Sequence, residues 1–447
     1  AFGGHRKNKL IVTFGEQKAK ELYDEYSFFD KEVVYYPSKD VLFYQSDIRG
    51  NLLTAERIRA LKAIHEQESV TLVTTFDALM NTMAPIEKMW ENVLTLEQGQ
   101  LLDLKEIQAA LIRMGYEKEY QVQTMGQFSV RGGILDVFPL TEENPIRIEL
   151  WGDDIDTIRY FDCESQKSIE NTDRVSIYPA AELVLSDEEK AGGIDKLKAE
   201  AKRVSDKLRK QMKTEEAHRV TVMADELIEE WGELSMYAVM DAFLSYFFDE
   251  RVGLLDYFNP SDSLIFFDEL TRCTEQGKLT ETEFSESMKQ RLAMGYILPG
   301  QMNGLFTEKE IVAKLEKYSC IALAALDNKA NGLHQLGSYG IHCQSVSPYN
   351  NSFELLIKDL KRYKKNGYRV ILLSGSRTRA KRLSEDITDQ GITCFYTENY
   401  DHELFEGQIM VCYGKVRRGF EYPILKFAVI TESDIFGAQQ KKKKRHR

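Results

Sequence analysis

The sequence predicts an α/β fold: an α/β domain built on a parallel sheet, interrupted by an inserted, mainly antiparallel β domain, and followed by a small α/β domain. Three observations carry this. Residues 1–90 alternate short apolar strands with amphipathic helices, the pattern of a parallel sheet with crossover helices. Residues 126–162, GQFSVRGGILDVFPLTEENPIRIELWGDDIDTIRYFD, read as consecutive strands with no helix between them. After the turn-rich stretch SVSPYNNS the alternation of strand and helix resumes over residues 352–437.

The elements follow in order. Leu10–Phe14 is a strand, and Gln17–Phe28 a helix with Ala19, Leu22, Tyr23 and Tyr26 on one side. Val33–Tyr36 is the next strand. Thr54–Glu66 is a helix with Ile58, Leu61 and Ile64 on one stripe and Thr54 placed to cap it. Val70–Thr75 is a β-branched strand. Leu104–Met114 is a helix that turns Ile107, Leu111 and Met114 to one face. Three strands then follow: Phe128–Phe138, interrupted by Gly132-Gly133; Pro145–Trp151; and Ile155–Phe161, reached through the hairpin turn Gly152-Asp153-Asp154. Val175–Pro179 leads out. Lys190–Thr214 is a helix with interleaved lysine and glutamate, read as a solvated face. An aromatic-rich stretch, WGELSMYAVMDAFLSYFF, precedes the strands Ser263–Glu269 and Ala322–Leu326. The last domain has helices over Phe353–Tyr363 and Arg377–Gln390, the second ended by Gly391. Its strands are Arg369–Leu373, Ile392–Tyr396, Gln408–Tyr413 and Phe427–Thr431. The domain limits read from this pattern are 1–90 with 181–348, 91–180 inserted between them, and 349–437, with a basic tail over 438–447.

Strand residues two apart share a face. Ile146, Ile148 and Leu150 therefore face a core, and Arg147, Glu149 and Trp151 face outward. On the preceding strand Phe128 and Val130 point one way, Ser129 and Arg131 the other. A rigid sheet that presents two arginines and a tryptophan has the composition of a protein-binding hot spot. A tryptophan tucked under a loop beside solvated arginines gives the same alternation, and parity does not separate the two.

The bulk composition bounds the function. The 447 residues carry a net charge of −12, with 43% apolar and 29% charged residues. This is a globular composition without the overall basic surplus of a dedicated nucleic-acid binder. No apolar run approaches the length of a membrane span. The six cysteines (Cys163, Cys273, Cys320, Cys343, Cys394 and Cys412) form no C-x-x-C pair; they read as reduced thiols of a cytoplasmic protein, and no metal site is expected. His342-Cys343 has no second pair to complete a site. The phosphate-loop string G-x-x-x-x-G-K-[ST] occurs nowhere in the sequence, so no nucleotide cofactor is expected. The opening alanine suggests a fragment.

The string FSVRGGILDVFP…RIELWGDDIDTIRYFD…SQKS resembles the module shared by UvrB and the bacterial transcription-repair coupling factors. The resemblance extends along essentially the whole chain and favours the coupling-factor family, to whose amino-terminal part the chain is similar. In both families this module is the docking site for UvrA, and the resemblance places docking on Arg131, Arg147 and Trp151, with Trp where the family often has Phe. Alanine at Arg147 or Trp151 is expected to abolish UvrA binding without altering the fold. The resemblance also implies that the first domain is a degenerate, RecA-like, helicase-type domain that has lost its phosphate loop. Asp268 and Glu269 in SLIFFDE then resemble a relic of a Walker B strand, whose acids would hold magnesium and activate water in an active motor. UvrB carries a long hairpin where Phe43-Tyr44 here leads at once through Asp47–Leu53 into a helix. That shortness counts against the alternative, a UvrB-like helicase or ATPase. The resemblance further implies a docking sheet covered in the parent protein by a carboxy-terminal autoinhibitory domain. Contacts with RNA polymerase and DNA, and the ATP-driven translocase, would belong to parts absent from this chain. GFEYPILKFAVITESDIFG fits the domain that follows, and KKKKRHR reads as a solvated linker.

Overall fold

The computed structural model describes residues 7–39, 48–232, 241–326 and 332–437. Phe43, Tyr44 and Asp47, residues 233–240 of the aromatic-rich stretch and the basic run at 438–447 lie outside the described residues. The chain forms two compact units, residues 1–20 with 33–334 and residues 21–32 with 335–447.

The first unit contains the expected parallel sheet. Its five strands run in the order Ser319–Leu323, Ser263–Asp268, Asn8–Thr13, Thr71–Thr75, Val34–Tyr36, every neighbouring pair parallel. The strand Thr71–Thr75, inside the sheet, is buried along its whole length, as strands within parallel sheets are. Leu10, Val12, Leu72, Ile265 and Phe267 share one core with Ile58 and Leu61 of the helix Ile48–Glu66. That helix begins six residues before the expected start, so Thr54 lies inside it rather than capping it. The anchored stripe lets the helix propagate back through Gly50 and Asn51, whose low propensity costs little once a nucleus exists. The helix expected over Lys190–Thr214 runs instead over Asp187–Lys210, opened by a capping box between Ser186 and Glu189. It turns at Met212, in left-handed backbone at φ 62°, into an antiparallel partner over Thr214–Gly232. Leu197, Ala201, Ala217, Val220 and Trp231 form the seam of this hairpin, which leaves the lysines and glutamates on the outside.

The inserted domain has its own core. Its sheet is built of β1 (Glu117–Lys118), β2 (Gln127–Arg131), β3 (Ile134–Val137), β4 (Ile146–Trp151), β5 (Asp154–Phe161) and β6 (Ser168–Thr172). They lie in sequence order, all antiparallel except the β1–β2 pair. What reads in the sequence as one interrupted strand, Phe128–Phe138, is two: Gly132, at φ 60°, closes a tight hairpin between β2 and β3. The helix Leu104–Arg113 is capped by Asp103, whose carboxylate accepts from the backbone N–H groups of Lys105 and Glu106. It lays Ile107 and Leu111 on a core with Phe128, Leu135, Ile146, Ile148 and Ile158. A two-stranded ribbon, Leu94–Glu97 against Arg174–Ile177, brings entry and exit together.

A buried ion pair fixes the exit. Arg57, fully buried, donates from Nε to Glu182 at 2.7 Å and from Nη2 at 3.1 Å, and its Nη1 donates to the Pro37 carbonyl at 2.6 Å. Lys39 Nζ stands 3.1 Å from the same carboxylate. Burial pushes the Glu182 carboxyl up, but Arg57 and Lys39 outweigh it and hold it well below the usual carboxylate range.

The second unit holds a six-stranded sheet in the order Gln344–Ser345, Phe420–Tyr422, Phe427–Thr431, Arg369–Ser374, Ile409–Tyr413, Phe395–Thr397. The last four are parallel, and Phe420–Tyr422 is antiparallel to both of its neighbours. Leu356, Leu360, Leu383 and Ile387 of the helices Phe353–Lys365 and Arg377–Asp389 pack on Val370, Leu372, Val411 and Ile430. Among the described residues no helix is long and apolar enough to cross a membrane.

Candidate protein-docking site

The register of the inserted sheet decides which side chains meet. Ser129, Asp136, Arg147, Arg159 and Asn171 stand opposite one another across β2 to β6. The next row outward is Arg131, Ile134, Glu149 and Thr157. Both rows lie on the face away from the core, as parity predicts for Arg131 and Arg147. The first row is not open to solvent. Ser129 is buried and donates to the Tyr120 carbonyl at 2.7 Å. Phe161, also on this face, is buried under Arg147, whose guanidinium carbon sits 4.3 Å from the ring centroid.

Arg131 and Arg147 converge on one carboxylate. Asp136, with a side chain 1% exposed, accepts from Arg147 Nε at 2.7 Å and Nη2 at 2.8 Å, and from Arg131 Nη2 at 2.9 Å. Arg147 Nη2 also donates to Gln166 Oε1 at 2.9 Å. The Asp136 hydrogen bonds raise the Arg147 guanidinium further above its ordinary value. The two arginines are not equivalent: the Arg131 side chain is 36% exposed and that of Arg147 only 12%. One carboxylate against two guanidiniums leaves the cluster with one net positive charge. Beside it, Arg159 pairs with Glu149, Nη1 donating at 3.1 Å. The nearby Cys163 thiol is pushed up by burial and by the Asp162, Asp136 and Glu164 carboxylates, so it stays protonated and a poor nucleophile.

Trp151 ends β4 opposite Asp154 and is 82% exposed. Among the described residues no loop covers its ring, which removes one of the two arrangements that alternation allowed. Leu101, also exposed, bridges to Asp154 from the other side. The hairpin tip is held rigid by the adjoining segment: Gly99 N donates to Ile155 O at 2.8 Å, and Leu102 N to Asp153 O at 2.8 Å. The face therefore offers an exposed cation and an exposed indole on fixed backbone.

These features fall within a known module. Residues 94–183 match the family model of the UvrB interaction domain. The chain is 28% identical over 438 residues to the transcription-repair-coupling factor of Bacillus subtilis (strain 168), covering 98% of this chain and 37% of that protein. It is 26% identical over 442 residues to that of Staphylococcus haemolyticus (strain JCSC1435) and over 441 residues to that of Staphylococcus aureus (strain MRSA252), with the same coverage. The resemblance to coupling factors read from the motif string is borne out along the chain. The chain spans about 37% of the length of the curated relatives it matches. The matched residues 94–183 contain β1 to β6, the helix before them and Glu182.

The Walker-B-like acids stand at the carboxyl ends of the other sheet, where parallel sheets hold ligands. Asp268 accepts from Thr13 Oγ1 at 3.1 Å, and Glu269, in left-handed backbone at φ 61°, accepts from Ala325 N at 2.9 Å. At the same end the Glu16 carboxylate accepts from Ser38 N at 2.8 Å, Ser38 Oγ at 2.6 Å, Thr75 Oγ1 at 3.1 Å and the Tyr35 hydroxyl. Donors that could cradle a phosphate are thus occupied by a carboxylate of the chain itself. Among the described residues no group of His, Cys, Asp and Glu is arranged to hold a metal ion.

Sequence reasoning missed Asp136. The signal was present: an aspartate in the apolar run ILDVF, at outward parity opposite Arg147.

Proposed function

We propose that this chain is a non-catalytic recruitment region that binds UvrA, and so brings the damage-recognition protein to stalled transcription complexes in transcription-coupled nucleotide excision repair. The observation that carries the reading is an exposed Trp151 and a half-exposed Arg131 on the outward face of a UvrB interaction domain. Aromatic and arginine side chains on a rigid surface dominate binding energy when a partner buries them. UvrA would bring an acidic group to Arg131 and an apolar recess to the indole. Arg147 belongs to the same site.

The first unit serves as a degenerate RecA-like scaffold. Asp268 and Glu269 are relics there, since the sequence has no phosphate loop and the Glu16 carboxylate takes the donors at the strand ends. In the parent protein a carboxy-terminal domain would cover the docking sheet until activation, and other parts would hold RNA polymerase and DNA. The test is a pull-down of UvrA with the whole chain, run beside Trp151→Ala. Retention by the chain and loss with the variant supports the reading; equal retention, or none by either, overturns it.

A further inference from the structure

We infer that Asp136 is the positioning residue of the docking face, and that it divides the labour of the two arginines: Arg147 is a strut, and Arg131 is the cation presented to the partner. This rests on the UvrA-docking reading above.

The geometry distinguishes the two guanidiniums. Arg147 has five N–H donors, and three are engaged inside the domain, two on Asp136 and one on Gln166. Its flat face lies over Phe161. A guanidinium clamped on its edge and covered on one face has little left to offer a partner. Arg131 makes one bond to Asp136 and is three times as exposed, 36% against 12%. Asp136 Oδ2 accepts from both arginines, so the placement of Arg131 depends on the same atom that Arg147 holds. Charge-assisted bonds of this kind are short and directional, and a carboxylate this buried has no water to turn to.

The consequence has a sign that charge alone does not share. Asp136→Asn keeps the size of the side chain and raises the cluster from one net positive charge to two. If the face works as a positive patch, an acidic partner binds the variant more tightly. If the face works by placement, the variant binds less tightly. The asparagine amide turns donors toward guanidinium donors and releases Arg131.

The experiment measures UvrA affinity by surface plasmon resonance for the whole chain, Asp136→Asn and Gln166→Asn, each first checked by thermal melting. Gln166→Asn alters no charge and suits the left-handed backbone at φ 60°, but its amide falls one methylene short of Arg147. The expected result is binding by the parent chain, about tenfold or greater weakening by Asp136→Asn in spite of its added positive charge, and a few-fold weakening by Gln166→Asn. Parent-like or tighter binding by a folded Asp136→Asn overturns the inference and leaves the docking reading standing. If that variant does not fold, Gln166→Asn decides, and unchanged affinity overturns the inference. Failure of the parent chain to bind UvrA overturns the docking reading, and this inference with it.

Discussion

Arg147 grips Asp136 with two parallel hydrogen bonds, Nε to Oδ1 at 2.7 Å and Nη2 to Oδ2 at 2.8 Å, on a carboxylate that is 1% exposed. A group this engaged is part of the domain's structure as well as its surface. Arg147→Ala is therefore expected to destabilise the domain by about 2 kcal/mol, because it leaves a buried carboxylate with a single partner. The sequence alone led to the expectation that this substitution would leave the fold untouched. Arg131→Ala removes a half-exposed partner and is expected to cost about 1 kcal/mol or less. Urea unfolding of the two variants measures the difference; equal midpoints would contradict the strut.

Trp151 gives the opposite pattern. With 82% of its surface exposed, Trp151→Ala is expected to change stability by no more than about 0.5 kcal/mol. The sequence has three tryptophans, of which Trp231 is buried and Trp90 half-buried, stacked on His65 at 4.8 Å. Trp151 should therefore carry most of the fluorescence quenched by acrylamide, and that quenching should fall when UvrA binds. Quenching unchanged by Trp151→Ala would show the indole to be covered.

The strand ends of the first sheet make a separate prediction. Glu16 accepts from Ser38, Thr75 and Tyr35 where a phosphate would need donors. Calorimetric titration with magnesium-ATP is expected to give no saturable heat. Micromolar affinity would contradict the assignment of Asp268 and Glu269 as relics.

The Arg57–Glu182 pair predicts a pH dependence. The folded chain holds the Glu182 carboxyl below its ordinary value. Its contribution to stability is therefore fully present above the usual carboxylate range and is lost as pH falls through the folded value. Glu182→Gln is expected to cost about 3 kcal/mol near neutrality by leaving Arg57 buried without a counter-charge. The variant should also lose less stability than the parent chain on acidification, since it has no carboxyl there to protonate. Parallel pH–stability curves would contradict the pair's role.

Much of this was legible in the sequence, for physical reasons. The parallel sheet followed from β-branched apolar runs spaced by amphipathic helices, and the outward row of the inserted sheet followed from strict alternation in RIELW. What alternation could not supply was pairing across strands. Gly132-Gly133 read as an interruption and is a hairpin, and that hairpin folds Arg131 back onto Asp136, which stands opposite Arg147 on the next strand. The helix start at Ile48 was missed because Gly50 and Asn51 weigh against a helix locally, while tertiary packing further along decides for it. The Glu16 cluster joins residues up to 59 positions apart, beyond the reach of any local pattern.

The UvrA affinity of the whole chain beside Arg131→Ala and Trp151→Ala, all three shown to melt alike, tests most directly the proposed docking of UvrA on the outward face of residues 94–183. The parent chain is expected to bind, and each variant to lose about tenfold or more in affinity. Three equal affinities, or no binding by the parent chain, would contradict it.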